Sequence, residues 1–169
     1  NLPAYVALPD PQGQSTDGAR NWSSGWLPPV YQGTAFRSEG SPILNLQPSK
    51  SLLGNTRQRK LDLLRSLNKQ HQERHPDEME LDARINNLEL AARMQLTATD
   101  AIDISRESAT THEAYGLNNP VTQSYGKRCL MARRLIERGV RFVQIMMKSQ
   151  PWDTHTSNVE NTKKCCLET

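Results

Sequence analysis

Apolar residues along this chain fall into two kinds of run. Two are short and continuous: "AYVALP" (4–9), ended by Pro9, and "VRFVQIMM", whose apolar stretch predicts a strand over 140–146. Short continuous runs of this kind read as strands buried on both faces. "PILNL" (42–46) is a third, weaker candidate strand. The other runs have helical spacing. Leu61, Leu64 and Leu67 form one stripe in residues 57–75, with His71 continuing it and Pro76 ending it. Leu81, Ile85, Leu88, Ala92 and Leu96 form a second stripe in residues 78–96. Val121, Tyr125, Cys129, Ala132 and Ile136 form a third, followed by Gly139 where a helix C-cap glycine belongs.

The expected organisation follows from these runs. Residues 4–50 give a strand and a long loop rich in Pro, Gly, Ser, Asn and Gln. Residues 57–96 give two antiparallel helices with Leu61, Leu64, Leu81, Ile85 and Leu88 facing inward, read as an inserted cap rather than as cover for a sheet. Residues 97–119 are polar, with one helical turn at "THEAYG". Residues 120–169 give helix, glycine turn, strand, loop and a second helix, which is part of an α/β unit with a parallel sheet. In open α/β sheets ligands bind beyond the carboxyl ends of the strands. The segment "PWDTHTSN" (151–158) occupies that position.

Charge and cysteine content narrow the function classes. The net charge of +3 is too small to argue for nucleic acid. It is unevenly spread: residues 50–75 hold seven Lys or Arg against two Asp or Glu, and residues 77–113 hold three against nine. That contrast predicts basic and acidic helix faces that attract one another. Arg128, Arg133, Arg134 and Arg138 could bind an anion as a cluster, but they spread over more than one face of their helix, which favours a solvated surface. The three cysteines have no zinc spacing and give no disulfide framework, and adjacent Cys165 and Cys166 are expected to split between a buried and an exposed side. No apolar run approaches the ~20 residues that span a bilayer. The chain enters a strand at once and ends within a helix, so residues 1–169 read as an interior part of one larger domain.

The candidate chemistry sits in "SQPWDTHTSN" (149–158). Asp153 and His155 stand two residues apart, flanked by Trp152 and Asn158. A carboxylate oxygen and an imidazole nitrogen together suit zinc and several other divalent ions. A zinc site needs about four positions, about three of them from protein when it is catalytic. None of His71, His75 and His112 is placed to join them. The same residues also fit a polar turn, in which Asp153, Thr154, Thr156 or Ser157 caps the helix starting near Asn158. In the long loop, Asn21 and Trp22 are candidate substrate contacts, and Trp22 and Trp26 alternatively anchor that loop to the core.

Five blocks, "NWSSGWLPPVYQGTAF", "PILNL", "RQRKLDLLRSLN", "YGKRCLMARRLIERGVRFVQ" and "PWDTHTSN", occur in one order. In that order they resemble the bacterial domain-of-unknown-function family fifteen-hundred-and-one, a sulfatase-like family of the alkaline phosphatase superfamily. The resemblance covers nearly the whole chain. It implies an alkaline-phosphatase-like three-layer sandwich with a mostly parallel sheet, to which the helical pair is added. It also implies export to the periplasm or cell exterior and hydrolysis of phosphate or sulfate esters at a divalent-metal site.

The family's W-D-x-H block maps onto Trp152, Asp153, Thr154 and His155. Asp153 and His155 become the expected metal ligands for zinc, manganese or calcium, with Trp152, Asn158, Asn21 and Trp22 as expected substrate contacts. The family's other ligand blocks, and any nucleophile, lie outside this stretch. Related sequences often carry glycines before the block, where this chain has "MMKSQP" (146–151), so Lys148 and Gln150 narrow or recharge that mouth. The expected ligand is an anionic ester or a polysaccharide. Two functions are therefore in play: part of an exported metal-dependent ester hydrolase, or a non-catalytic relative that binds a polysaccharide or protein through its tryptophan loop.

Overall fold

A computed structural model describes residues 2–13, 15–40, 43 and 55–169. Its elements in chain order are β1 (Tyr5–Leu8), β2 (Thr34–Ala35), α1 (Asn55–Arg74), α2 (Met79–Ile102), α3 (Ala109–Ala114), α4 (Gln123–Glu137), β3 (Phe142–Ile145) and α5 (Asn158–Glu168). Short 3-10 turns occupy Gly18–Trp22, Pro29–Tyr31 and Ile104–Arg106. The chain is α/β, with a parallel three-stranded sheet in the order β2-β1-β3. The candidate strand "PILNL" lies outside the described residues except for Ile43.

β1 is the central strand, and Val6, Ala7 and Leu8 are wholly buried. In-register parallel partners point their side chains to the same face. Val6 and Leu8 pair with Val143 and Ile145, and all four join one apolar cluster with Met94, Ala101 and Ile102 of α2 and Met131 and Leu135 of α4. Burial of each large side chain in this cluster stabilises the fold by roughly 1.5–3 kcal/mol. The opposite face carries Tyr5, whose ring meets Phe142 edge-on at 4.9 Å. The long loop packs there too. A Cβ on Gly33 would lie 2.9 Å from the Tyr5 ring and 3.0 Å from the Trp22 Cβ, so only glycine fits.

Several sequence expectations need correction. β3 is not buried on both faces: its burial is partial and Phe142 is exposed. A continuous apolar run reports that neighbours are wanted on both sides, not that they are present. α2 is not part of a detached cap. It runs on to Ile102, and Met94, Ala101 and Ile102 enter the core beside β1. Polar Thr97, Thr99 and Asp100 concealed this extension in the sequence without breaking the helix.

The α1–α2 pairing matches the charge pattern, with Arg65 Nε 3.5 Å from Glu89 and Gln72 donating to Asp82 at 2.7 Å. Yet Leu64, Leu67 and Leu88 are exposed and Leu61 and Leu81 half-buried, leaving Ile85 as the buried member of the predicted inward set. Helical spacing identifies a shared face but not what covers it. The side chains of Ala92 and Leu96 lie outside those described.

α4 departs furthest from expectation. Val121 and Ile136 of the predicted stripe are exposed, while Arg128, Leu130, Met131, Arg134 and Leu135 are buried. Gly139 does terminate the helix, at φ +89°. Its N–H donates to the Ile136 carbonyl, and the Val140 N–H donates to that of Leu135.

Candidate functional site

Because β1, β2 and β3 are parallel, their carboxyl ends share one edge of the sheet. Asp10 follows β1, Arg37 and Ser38 follow β2, and Lys148 follows β3. Beneath this edge lies Arg128, 2% exposed. Its Nη2 donates to Asp10 Oδ2 at 2.9 Å, its Nη1 to the Met146 carbonyl, and its Nε to the Ser124 carbonyl at 3.2 Å. One guanidinium thus ties the end of β1 to the end of β3. The expectation of a solvated arginine face is wrong here, because a guanidinium whose three nitrogens each donate to an oxygen, one of them a carboxylate, can be buried.

Arg134 is the second buried arginine. It donates to the Ala101 carbonyl at 3.2 Å, to the Asp100 carbonyl at 3.0 Å and to Glu107. A cation therefore satisfies open carbonyls at the C-terminus of α2. Glu107 also accepts from Arg133 at 2.8 Å. The hydrogen bond from Arg134 is the main cause that holds the Glu107 carboxyl below its ordinary range. The Asp103 carboxyl is lowered too, chiefly by the Ser105 hydroxyl.

Asp153 and His155 come together in the loop between β3 and α5. His155 Nε2 lies 3.3 Å from Asp153 Oδ2, and their side chains are 85% and 52% exposed. Two ligand atoms about 2.1 Å from one zinc ion lie roughly 3.4 Å apart at a tetrahedral angle, so this pair fits two positions of such an ion. Among the described residues, no group of three or more His, Cys, Asp or Glu side chains is placed to hold a metal. The pair alone would therefore fill two of the four positions such a site needs.

Around it is an open depression of about 400 Å³, also lined by Lys148, Asn161, Lys164 and Glu168. Lys148 reaches back to the β1 side, donating to Gln12 at 2.8 Å. Asn161 and Lys164 were missed in the sequence. Their signal was the helical step of three between them on the helix that follows the motif.

The capping alternative does not hold for this loop. Ser157 at the start of α5 has φ +50° and makes no side-chain capping bond. Ser149 is also left-handed, at φ +53°. Glycine would occupy that conformation without the Cβ penalty that serine bears here.

The other expected contacts scatter. Trp152 is exposed and does not line the depression. Asn158 accepts from Thr154 and, at 3.1 Å, from Thr162, which ties the loop to α5. Asn21 is used within its own loop, donating to Ser15 at 2.7 Å and to the Gly18 carbonyl at 3.0 Å. Trp22 is half-buried beside a cleft of about 730 Å³ lined also by Asp10, Gly13, Arg37, Ser38 and Glu39. Trp26 is fully exposed and anchors nothing, so the anchoring expectation fails for it. Cys165 is buried, donating to the Pro151 carbonyl at 3.0 Å, and Cys166 is exposed. Burial pushes the Cys129 thiol up, which keeps it protonated and a poor nucleophile.

No helix among the described residues is long and apolar enough to cross a membrane. No curated protein and no solved structure matches the chain. The family model described as "Protein of unknown function (DUF1501)" matches residues 1–169. The order of sequence blocks and this end-to-end match agree, and the chain belongs to the DUF1501 family.

Proposed function

We propose that this chain forms part of an exported, metal-dependent hydrolase of phosphate or sulfate esters, of the sulfatase-like kind within the alkaline phosphatase superfamily. The observation that carries the reading is the Asp153–His155 pair, exposed at 3.3 Å separation beyond the carboxyl end of β3. Lys148 and Lys164 line the same depression beside Asp153 and Glu168, with Lys164 4.0 Å from Glu168, so a cation held by Asp153 would leave the lining with a net positive charge toward an anionic ester. Asp153 and His155 would hold a divalent ion whose other ligands come from outside the described residues. Once bound, such an ion would stabilise charge developing on the ester oxygens. Lys148 and Lys164 would hold the anionic group, while Gln12 orients the Lys148 ammonium.

The test is zinc and manganese titration of the full-length protein, paired with hydrolysis of an aryl phosphate and an aryl sulfate. His155→Ala and Asp153→Ala should weaken the metal and abolish hydrolysis, with folding intact. Metal binding and turnover unchanged in both variants would end this reading.

A second reading is a non-catalytic module that binds a polysaccharide through the tryptophan loop. It is favoured by the Trp22 cleft, where an indole stands beside Asp10, Arg37 and Glu39. Aromatic faces with flanking charged groups suit a sugar that bears anionic substituents. Trp22→Ala would then remove polysaccharide binding, while His155→Ala would leave it unchanged.

A further inference from the structure

The helical hairpin carries a second pair of histidines that the proposed ester site does not use. His71 lies in the last turn of α1 and His75 directly follows that helix. His75 lies one residue past the helix, and the bend of the chain there brings its ring against that of His71. Their ring centroids are 4.6 Å apart with the planes at 53°, and both rings are exposed.

That separation has a chemical meaning. With metal–nitrogen distances of about 2.0–2.1 Å, each ring centroid sits roughly 3.2 Å from a shared ion, and at a tetrahedral angle two such centroids lie about 5 Å apart. The observed rings are within about half an ångström of that arrangement. Glu78 Oε1 lies 3.8 Å from His75 Nδ1. That is beyond hydrogen-bond range, and a change of the exposed Glu78 rotamer would bring the carboxylate onto Nδ1, leaving the other ring nitrogen for a metal.

The pair is also held in place. Gln72 donates to Asp82 at 2.7 Å, which pins the last turn of α1 against α2. The His75 N–H donates to the Gln72 carbonyl at 3.0 Å, and the Glu78 N–H to the His75 carbonyl at 3.3 Å, so the turn past Pro76 is closed by backbone bonds.

We infer that His71 and His75 form a two-histidine site for an imidazole-preferring divalent cation of the zinc, nickel and copper class, with Glu78 as the carboxylate partner of His75. Two neutral imidazoles select these ions over magnesium or calcium, which prefer oxygen. Water completes the coordination, because the rings face solvent. The site stands independently of the Asp153–His155 reading and uses none of its residues.

The experiment is calorimetric titration of the protein with zinc chloride near neutral pH, in a buffer that does not chelate. It is run on the unaltered protein and on His71→Ala, His75→Ala and His155→Ala. Circular dichroism checks that each variant is folded, which the exposure of all three rings favours. His71→Ala and His75→Ala should each weaken one binding event by at least the roughly tenfold that losing even an outer-shell partner costs. His155→Ala should leave that event unchanged. If His155→Ala alone alters zinc binding, the hairpin site is overturned and the ester-site reading survives; the converse result separates the two the other way. Gln70→His in the His75→Ala background restores two imidazoles, but at adjacent positions that diverge around the helix. It should restore no binding, and recovery there would overturn the shared-ion geometry.

Discussion

Two aspartate pairs, one with an arginine and one with a histidine, stand near the same edge of the sheet, and they differ in almost every physical respect. Asp10 and Arg128 are 118 residues apart in sequence, 2.9 Å apart in space, and 9% and 2% exposed. Asp153 and His155 are two residues apart in sequence, 3.3 Å apart in space, and 52% and 85% exposed. The first pair joins separate elements and is largely withdrawn from water, with Asp10 also bordering the Trp22 cleft. The second joins nothing beyond its own loop and faces solvent. A buried pair of this kind holds strand ends in position, while an exposed pair leaves its lone pairs available to a ligand. The sheet edge is thus rigid where it is buried and chemically open where its loop projects.

The largest effect should come from breaking the buried pair. Asp10→Ala leaves the Arg128 guanidinium inside the protein without its counter-charge. Such losses cost about 3–5 kcal/mol, so chemical denaturation should show a large drop in stability. Replacing Arg128 with Met in the Asp10→Ala background should recover part of it, because the stranded charge is gone. A double variant no better than Asp10→Ala alone would mean that the lost bonds to the Met146 and Ser124 carbonyls, rather than the stranded charge, dominate.

The two pairs were also unequally legible in the sequence. Asp153 and His155 were found because their partnership is local and their loop follows a run of strand-forming residues. β1, the two long helices and the Gly139 turn were visible for the same reason, since each is specified by a few neighbouring residues. Arg128 and Asp10 were invisible as a pair, because nothing at either position signals a partner 118 residues away. Helical spacing spread the arginines over more than one face and so suggested solvent, while the apolar steps through Val121 and Ile136 suggested a different buried stripe. An arginine is buried when carbonyls and carboxylates converge on it, and that convergence is a property of the folded chain. For the same reason Asn161 and Lys164 entered the depression unannounced, and Asn21 and Asn158 turned out to serve their own loops.

A smaller effect is expected at Glu107, which is partly covered and pairs with Arg133 and Arg134. Its folded-state carboxyl is lowered below the ordinary value of 4.5, mainly by the Arg134 hydrogen bond. The stabilisation is therefore fully present above that value and is lost as pH falls through the lowered one. Glu107→Gln should reduce the melting temperature at neutral pH by less than Asp10→Ala does. The gap between Glu107→Gln and the unaltered protein should close as the pH is taken well below 4.5. A gap that stayed constant down to the acid limit would show that the carboxylate charge is not what Arg134 requires.

The smallest effect on stability should belong to the exposed pair, and this smallness makes the contrast sharp. Asp153 and His155 lie in high-dielectric surroundings, where even a fully charged pair contributes about 0–1 kcal/mol and most single surface changes fall within about 0.5 kcal/mol. His155→Ala should therefore unfold at nearly the same denaturant concentration as the unaltered protein when no metal is added. In the presence of zinc the two should separate, because an ion that binds only the folded state stabilises it in proportion to the logarithm of ion concentration over dissociation constant. The measurement is a pair of denaturation curves with and without zinc, made in the His71→Ala background so that the hairpin histidines do not contribute. A large loss of stability for His155→Ala without metal would show that the pair has a structural role comparable to that of Asp10 and Arg128. Equal curves with and without zinc in both proteins would leave the pair as an ordinary surface contact and remove its claim to hold an ion.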